Sequence, residues 1–429
     1  MITGLSVKNF RGIKEGRIDN LGQTNVFIGR NNSGKSTLLD LLCFFKAPLK
    51  PRNELGEFVL ESLLQRRVRR AVPTEIEFFY EYLPQNIVNF KVEFDNRSGI
   101  YFNATLNNNR WIRYDLFEQE HQVGIAKFEM PLNTVPNVES QGSSSRAEQP
   151  LDFLFEQWDR FKPGLKSTLL QIVLTDKKLR SNLTFMSNAV LIDADFVRKI
   201  EGIEAVYWAD MLKRRLDKKL AKILNETYGL SIEGFSFATY RDGKSKLFSL
   251  LPEVSMHIDD YGDGFRYAFS IITIASQVHD TALLLEEPEV HQHEGAVKTL
   301  FESLNRIAID NNLQLFISTH SIDLMKTVVR VMKDVRVFHL TLDNGNLSAR
   351  SIDGSDVGLM IDLGANPLEL DRPFSYIVVE GKQDRIFLDA LAKKLKQKDL
   401  KELSYEVLTC PKDEQVTTVP ALHQLGNPF

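Results

Sequence analysis

Apolar and polar positions alternate from Ile2 to Phe10, the period of a strand with one buried face, and the turn pair Arg11-Gly12 leads into a second short strand through Glu15 to Ile18. After Asn20-Leu21-Gly22, the run Thr24-Asn25-Val26-Phe27-Ile28 predicts a buried strand. Ser36 to Phe45, rich in leucine and phenylalanine, predicts a helix. Residues 75 to 115 return to strand patterning, with Glu75 to Tyr80, Val88 to Phe94 and Gly99 to Phe102 as the pieces of a β-rich lobe. Between 136 and 150 the pattern lapses into a Ser/Gly-rich polar run, Gln141-Gly142-Ser143-Ser144-Ser145, expected to be a mobile loop and the best site for proteolysis.

Helical spacing resumes from Ala209 to Thr227, where Leu212, Leu216, Leu220, Ile223 and Leu224 share one face and Arg214, Arg215, Lys218, Lys219 and Lys222 the other. Strands are expected at 231 to 240 and 246 to 251, a helix from about 265 to 277, and apolar strands at 282 to 285 and 313 to 318. Residues 334 to 352 predict a hairpin turning at Asp343-Asn344-Gly345. A further strand-turn-helix unit runs from Tyr376 through Gly381 into a helix at Asp384 to Lys396, followed by a strand from Tyr405 to Cys410; 417 to 429 has no usable period. The expected division is 1–85 and 231–352 as the two parts of a head, 86–230 as an insertion and dimerisation arm, and 373–429 as a terminal unit.

Composition narrows the class. Of 429 residues, 43% are hydrophobic and 26% charged, an ordinary soluble balance. No stretch approaches the roughly 20 apolar residues that span a bilayer, and the start is no signal peptide, so a cytoplasmic protein without a membrane is expected. Cys43 and Cys410 lie far apart and offer neither a disulfide framework nor a Cys-x-x-Cys zinc site. A net charge of −4 argues against a generally basic coat, although Arg66, Arg67, Arg69 and Arg70, with the basic helix face at 213 to 222, could track a nucleic-acid backbone. A solvated or ion-paired helix face is the preferred reading of such runs.

Chemistry concentrates at four places. Gly29-Arg30-Asn31-Asn32-Ser33-Gly34-Lys35-Ser36, followed by Thr37, meets the Gly-x-x-x-x-Gly-Lys-Ser pattern between a strand and a helix. Glycines let backbone N–H groups close on phosphate oxygens, Lys35 reaches the terminal phosphates and Ser36 can ligate Mg²⁺, so ATP or GTP is the expected ligand. The apolar strand from Thr281 ends in Glu286-Glu287-Pro288, where the first carboxylate can hold the metal's water shell and the second can orient the attacking water. His320, just past the strand from Leu313, can contact a γ-phosphate or that water. Tyr261-Gly262-Asp263-Gly264-Phe265-Arg266 opens a helix, a place where exposed N–H groups can receive a phosphate.

Asn9-Phe10-Arg11-Gly12, the loop from Gly29 to Thr37, Tyr261 to Arg266, Leu283 to His293 and Ser318-Thr319-His320-Ser321 together resemble the ATPase domain of the OLD (overcoming lysogenisation defect) family, relatives of the SMC-type ABC heads. The resemblance covers roughly residues 1 to 350. It implies an α/β fold, an ABC-type P-loop ATPase head with a β-rich lobe and a helical insertion, followed by a partial Toprim-like unit. It further implies two heads that sandwich ATP with Mg²⁺ between the P-loop of one and Gly262 and Gly264 of the other. Glu286 takes the metal-side position, Glu287 that of the hydrolytic glutamate and His320 that of a switch histidine; Glu289 to Glu294 would form a loop signalling across the dimer, and Arg11 would sit near the nucleotide. His291 and His293 belong to that loop rather than to a transition-metal site. A glutamine-loop equivalent is expected near Glu75 to Tyr80.

Val379-Glu380-Gly381-Lys382-Gln383-Asp384 resembles the opening motif of a Toprim domain, which pairs a strand-end glutamate with a later Asp-x-Asp. No such tripeptide follows Glu380, and Asp193-Ala194-Asp195 lies upstream and out of order. The expected function is therefore an ATP-hydrolysing homodimer or higher homo-oligomer that senses or clamps nucleic acid in a prokaryotic defence system and controls an effector encoded nearby, since similar ATPases recur in Septu, PARIS and Gabija type systems. Alternatives are an OLD-type Mg²⁺-dependent nuclease with its aspartates arranged differently, and an SMC-like repair head. The latter requires sustained heptads, absent from 140 to 230.

Overall fold

The computed structural model describes residues 1–50, 53–57, 59–66, 75–96, 98–107, 111–118, 121–129, 177–199, 208, 211–239, 245–352, 375–379 and 405–409. The chain divides into two compact units, Met1–Asp353 and Gly354–Phe429. In the first, the strands are β1 (Ile2–Phe10), β2 (Ile13–Asp19), β3 (Thr24–Ile28), β4 (Val88–Phe94), β5 (Gly99–Asn107), β6 (Trp111–Glu118), β7 (His121–Glu129), β8 (Val190–Ile192), β9 (Gly234–Thr239), β10 (Ser245–Leu250), β11 (Ser255–His257), β12 (Ala282–Glu286), β13 (Gln314–Thr319), β14 (Val335–Asp343) and β15 (Asn346–Ile352). The helices are α1 (Lys35–Lys46), α2 (Val59–Gln65), α3 (Lys177–Ser187), α4 (Ala194–Arg198), α5 (Leu216–Tyr228), α6 (Asp263–Gln277), α7 (Glu294–Asp310) and α8 (Ile322–Val331). No helix among the described residues is long and apolar enough to cross a membrane.

Among the described residues, twelve strands form one mixed sheet in the order β7-β6-β5-β4-β1-β2-β15-β14-β3-β13-β12-β8, and β9 to β11 form a separate three-stranded sheet. The large sheet has two characters. From β7 to β2 every pairing is antiparallel, and β4 alternates buried and half-buried positions as a strand with one covered face does. From β14 to β8 every pairing is parallel, and β3, β12 and β13 are buried along almost their whole length. Helices on both faces of a parallel sheet demand such continuous apolar runs, which is why the segments at 24, 282 and 314 read as buried strands. Gln314 stitches the halves together: its side chain accepts from the Ile2 N–H (2.8 Å) and donates to the Ile2 and Gly22 carbonyls.

Helix α1 is buried all round, with Leu38 to Lys46 inside the protein. Its Phe44 and Phe45 insert into the antiparallel lobe: Phe45 stacks on Phe90 with centroids 4.3 Å apart and meets Phe102 at 4.9 Å, while Phe44 meets Phe78, Phe10 and Tyr114 at 4.8 to 5.2 Å. The charged residues at its interior end are neutralised locally, Lys46 Nζ donating to Glu54 Oε1 and the Ala189 carbonyl.

Several expectations are corrected. Residues 75 to 80 are not a strand but lie in two short 3₁₀ turns, Glu75–Phe78 and Tyr80–Tyr82, with the consecutive Phe78 and Phe79 both buried instead of alternating: Phe78 packs on Phe10 and Phe44, and Phe79 makes an isolated bridge to Phe10. The helix expected from 209 is interrupted at Arg214-Arg215, where Arg215 has φ +56°, and α5 begins only at Leu216; Leu212, assigned to the apolar face, is exposed. Arg66, weighed as a nucleic-acid contact, is ion-paired as the preferred reading of that run has it, but buried rather than on a helix surface. The strand at 99 runs on to Asn107 and continues as a meander through β6 and β7. The loop at 136–150, the residues Arg67, Arg69 and Arg70, the segment Glu380 to Lys396 and the tail from Cys410 lie outside the described residues.

In the second unit, β16 (Ser375–Val379) and β17 (Tyr405–Thr409) pair in parallel, Tyr376 opposite Glu406 and Val379 opposite Thr409. Parallel neighbours cannot be joined by a tight turn and require a crossover connection. Because the α1 aromatic cluster fills the core of the antiparallel lobe, Phe45→Ala is expected to destabilise the first unit by about 3–5 kcal/mol, measured as a lower denaturation midpoint; a loss below about 1 kcal/mol would show that the cluster relaxes around the cavity.

Candidate nucleotide site

The parallel strands all end at one edge of the sheet, and their register fixes which residues meet there. Ile28 of β3 is opposite Thr319 of β13, Glu286 of β12 is opposite Ser318, and Leu285 is opposite Ile192 of β8. The next residues along, Gly29, His320, Glu287 and Asp193, therefore emerge side by side. In open parallel α/β sheets ligands bind in the crevice outside these carboxyl ends.

Gly29 leaves β3 under close constraint: a Cβ there would stand 2.5 Å from the Leu340 carbonyl and 2.6 Å from Ser33 Oγ. Asn32 and Gly34 both take left-handed backbone, φ +65° and +93°, which curls the loop back toward α1. No side chain caps α1, so its opening N–H groups face the loop that precedes it. Asn31 and Asn32 are exposed on that loop, Ser33 and Gly34 are buried, and Ser36 and Thr37 are half-buried on the first turn. Lys35 folds over the loop, its Nζ donating to the carbonyls of Gly29 (2.8 Å) and Arg30 (2.9 Å). Burial lowers its ammonium to about 8, against the attraction of Glu287 and Glu289. A desolvated cation bonded to uncharged oxygens is a ready receptor for a polyanion such as a triphosphate.

Glu287, His320 and Lys35 form a row. His320 Nε2 lies 3.2 Å from Glu287 Oε1, and its Nδ1 lies 3.4 Å from Lys35 Nζ. Burial and the Lys35 charge hold the imidazole below its ordinary value, so at neutral pH it is chiefly uncharged. Glu287 sits at φ +47° with its N–H bonded to the Ser318 carbonyl (2.9 Å). A non-glycine residue there carries about 1–3 kcal/mol of backbone strain, which the surrounding strand ends hold in place. Behind the row, Glu289 accepts a hydrogen bond from the Thr319 hydroxyl, whose oxygen in turn accepts from the Ser321 N–H (2.8 Å). Burial pushes the Glu289 carboxyl up, partly offset by that hydroxyl and by the backbone N–H groups of Glu289 and His320.

Glu286 points the other way along the edge. Its carboxylate Oε2 accepts from Arg66 Nη2, and its backbone carbonyl accepts from the Tyr267 hydroxyl (2.7 Å). Arg66 also binds Asp40 on α1 through Nη1 and Asp193 through Nε (2.8 Å). Arg11 turns its guanidinium to the second oxygen of Asp40 (2.6 Å) and to the Leu63 carbonyl (2.9 Å). Ser36 and Glu286 are hydroxyl and carboxylate oxygen donors, a hard set that suits Mg²⁺. The sequence does not single out Asp40, and it casts Arg66, Asp193 and Glu289 in other roles: a basic run, an out-of-order Asp-x-Asp and the start of a cross-dimer loop. The signal for Asp193 was present, since Val190-Leu191-Ile192 feeding an acid repeats the form of Leu283 to Glu286, and it is this strand end, not the segment at 75 to 80, that stands beside β12.

Gly262 caps α6 and is exposed, whereas Gly264 is buried: a Cβ on it would lie 2.4 Å from the His291 carbonyl. The Gly264 carbonyl accepts from Tyr228 Oη (2.7 Å) and Gln292 Nε2 (2.5 Å), which ties α5 and the 287–293 loop to the start of α6. His293 caps α7 by accepting from the Ala296 N–H (3.2 Å), and His291, at φ +66°, has Nε2 3.9 Å from Asp263 Oδ2. On α5, Lys219 and Lys222 have acidic neighbours at 3.8 Å, Asp310 and Glu226.

Residues 24–326 match the family model described as AAA domain, putative AbiEii toxin, Type IV TA system. Among curated proteins, the chain is 22% identical over 355 residues to a Helicobacter pylori protein named ATP/GTP phosphatase, covering 80% of this chain and 91% of that one. It is 31% identical over 107 residues to an uncharacterised protein of Methanocaldococcus jannaschii, covering 23% of this chain and 49% of that one. Among solved structures, an SMC head bound to the C-winged helix domain of ScpA has 12% identity and a TM-score of 0.47, covering 84% of this chain and 99% of that one. An SMC head with an extended coiled coil bound to the C-terminal domain of ScpA, from Pyrococcus furiosus, has 12% identity and a TM-score of 0.46, covering 84% and 98%. The family match spans the P-loop, the paired glutamates and the histidine-bearing strand end within one continuous region, and the chain belongs to this AAA-domain ATPase family.

Proposed function

We propose that the chain binds ATP at the Gly29 to Thr37 loop and hydrolyses it, with the nucleotide acting as a switch on assembly. The observation that carries this reading is Lys35, buried, bonded to uncharged oxygens and placed at the end of the Glu287–His320 row. Lys35 and the loop amides hold the phosphates. Glu287 is within reach of His320, and an ionised carboxylate there can accept a proton from water and orient it for attack on the terminal phosphorus. His320, uncharged at neutral pH, accepts or donates a hydrogen bond without adding charge. Ser36 and Glu286 are the side chains that would hold Mg²⁺, which when bound neutralises charge on the phosphates.

The site occupies a single strand-end edge, and Gly262 at the exposed start of α6 supports completion by a second copy, as the OLD resemblance implies. Gly264 supports that surface from behind, through its packing on His291. In this reading the closed homodimer controls a partner effector in a defence system. The family description, which names a putative toxin of a type IV toxin–antitoxin system, supports a role in such a two-component arrangement.

Three measurements test these statements. Lys35→Ala should weaken ATP binding about 10- to 100-fold, the worth of the charged hydrogen bonds lost; unchanged affinity by calorimetry would move the phosphate site elsewhere. Glu287→Gln should bind ATP normally, lose about 10²- to 10⁴-fold in turnover and, with ATP, double its mass by light scattering. Undiminished phosphate release would remove Glu287 from the chemistry, and an unchanged mass would count against the closed dimer. Because a bound phosphate raises the Lys35 ammonium from about 8, binding at pH 8 should take up about half a proton, falling toward none near pH 7. Calorimetry in buffers of different ionisation enthalpy reads this directly, and no uptake at pH 8 would contradict the desolvated lysine.

A further inference from the structure

We infer that Arg66 is a positioning residue for the Glu286 carboxylate, holding it, Asp193 and the P-loop helix as one unit and thereby setting the Mg²⁺ dependence of nucleotide binding. The inference rests on the reading that Glu286 serves the metal side of the site. Arg66 follows α2 with its backbone N–H still bonded to the Ser62 carbonyl, and its side chain is 7% exposed. Its three arms reach three elements: Nη1 to Asp40 on α1, Nε to Asp193 at the end of β8, and Nη2 to Glu286 at the end of β12. Asp40 is fully buried and shares its other oxygen with Arg11. Among the described residues the group brings two guanidiniums together with three carboxylates, drawn from five separate segments of the chain.

Register forces this arrangement. Leu285 is paired with Ile192, so Glu286 and Asp193 leave adjacent parallel strands side by side, where two carboxylates repel unless a cation stands between them. A guanidinium presents N–H groups in fixed directions within one plane and can set three carboxylates at fixed mutual angles; an ammonium, a point charge with rotatable donors, cannot. Binding one oxygen of Glu286 fixes the rotation of its carboxyl plane and so the direction of the other. Asp40 lies on the same helix as Lys35 and Ser36, one turn on, so the guanidinium also ties the metal-side carboxylate to the phosphate loop. Burial opposes the Arg66 charge, but Asp40 and Asp193 outweigh it and the guanidinium stays protonated.

The test titrates Mg²⁺ against the fluorescence of a methylanthraniloyl-labelled ATP on the full chain. Arg66→Lys keeps the charge and loses the fork; it should bind the probe like the native protein in EDTA, yet need about tenfold more Mg²⁺ for half-maximal enhancement, as loss of an outer-sphere partner does. In a Glu286→Gln background, Arg66→Lys should add no further shift, whereas a general loss of structure would add the same shift in both backgrounds. Should Arg66→Lys fail to fold, Asp193→Asn removes one arm and keeps the α4 cap that Asp193 Oδ1 makes to the Phe196 N–H (2.8 Å); a smaller shift in the same direction is expected. Native-like Mg²⁺ dependence in the folded Arg66 variant, or in Asp193→Asn where that variant must stand in, overturns the role of Arg66. Native-like dependence in Glu286→Gln alone overturns the metal-side reading, and this inference with it.

Discussion

The structure depends on one constraint: five strands, β14, β3, β13, β12 and β8, run parallel and deliver their carboxyl ends to a single edge. Parallel pairing means that each strand needs a crossover, and the crossovers are the helices that cover both faces. Once the register is set, the residue after each strand has no freedom to be anywhere else. Gly29, His320, Glu287 and Asp193 are gathered by backbone hydrogen bonding, before any attraction among their side chains is considered.

Gathering such residues is electrostatically costly, and the protein balances the cost in two ways. Around Lys35 the balance is only partial: burial removes water from the ammonium, and its bonded acceptors, the Gly29 and Arg30 carbonyls, are neutral. Around Glu286 and Asp193 the carboxylates are paired with cations, since Arg66 and Arg11 lie among them and Asp40.

Rigidity extends into the loop from Glu287 to His293. Glu287 and His291 both adopt left-handed backbone, and the loop crosses so close to α6 that Gly264 has no room for a Cβ. Glu289, through Thr319 and Ser321, anchors the same loop to the backbone on either side of His320. Movement at Glu287 or His320 is therefore mechanically connected to the start of α6.

The sequence by itself determined the local chemistry. A short strand closing on Val26-Phe27-Ile28 and feeding Gly29, a leucine-rich helix after Lys35 and a strand ending in Glu286-Glu287 are each legible because their signal is local: period, glycine position, and the abrupt change from apolar to acidic. The same locality misled at 75 to 80, where aromatic residues suited to a strand curl into 3₁₀ turns to fill the space beside Phe44, and at Arg66, whose basic neighbours suggested a surface. Only the tertiary structure decided that Asp40, Asp193 and Glu286, widely separated along the chain, share one guanidinium, and that Glu289 braces His320. Ion pairs of this kind leave no period in the sequence; they exist because strand register and helix packing bring distant side chains to one point.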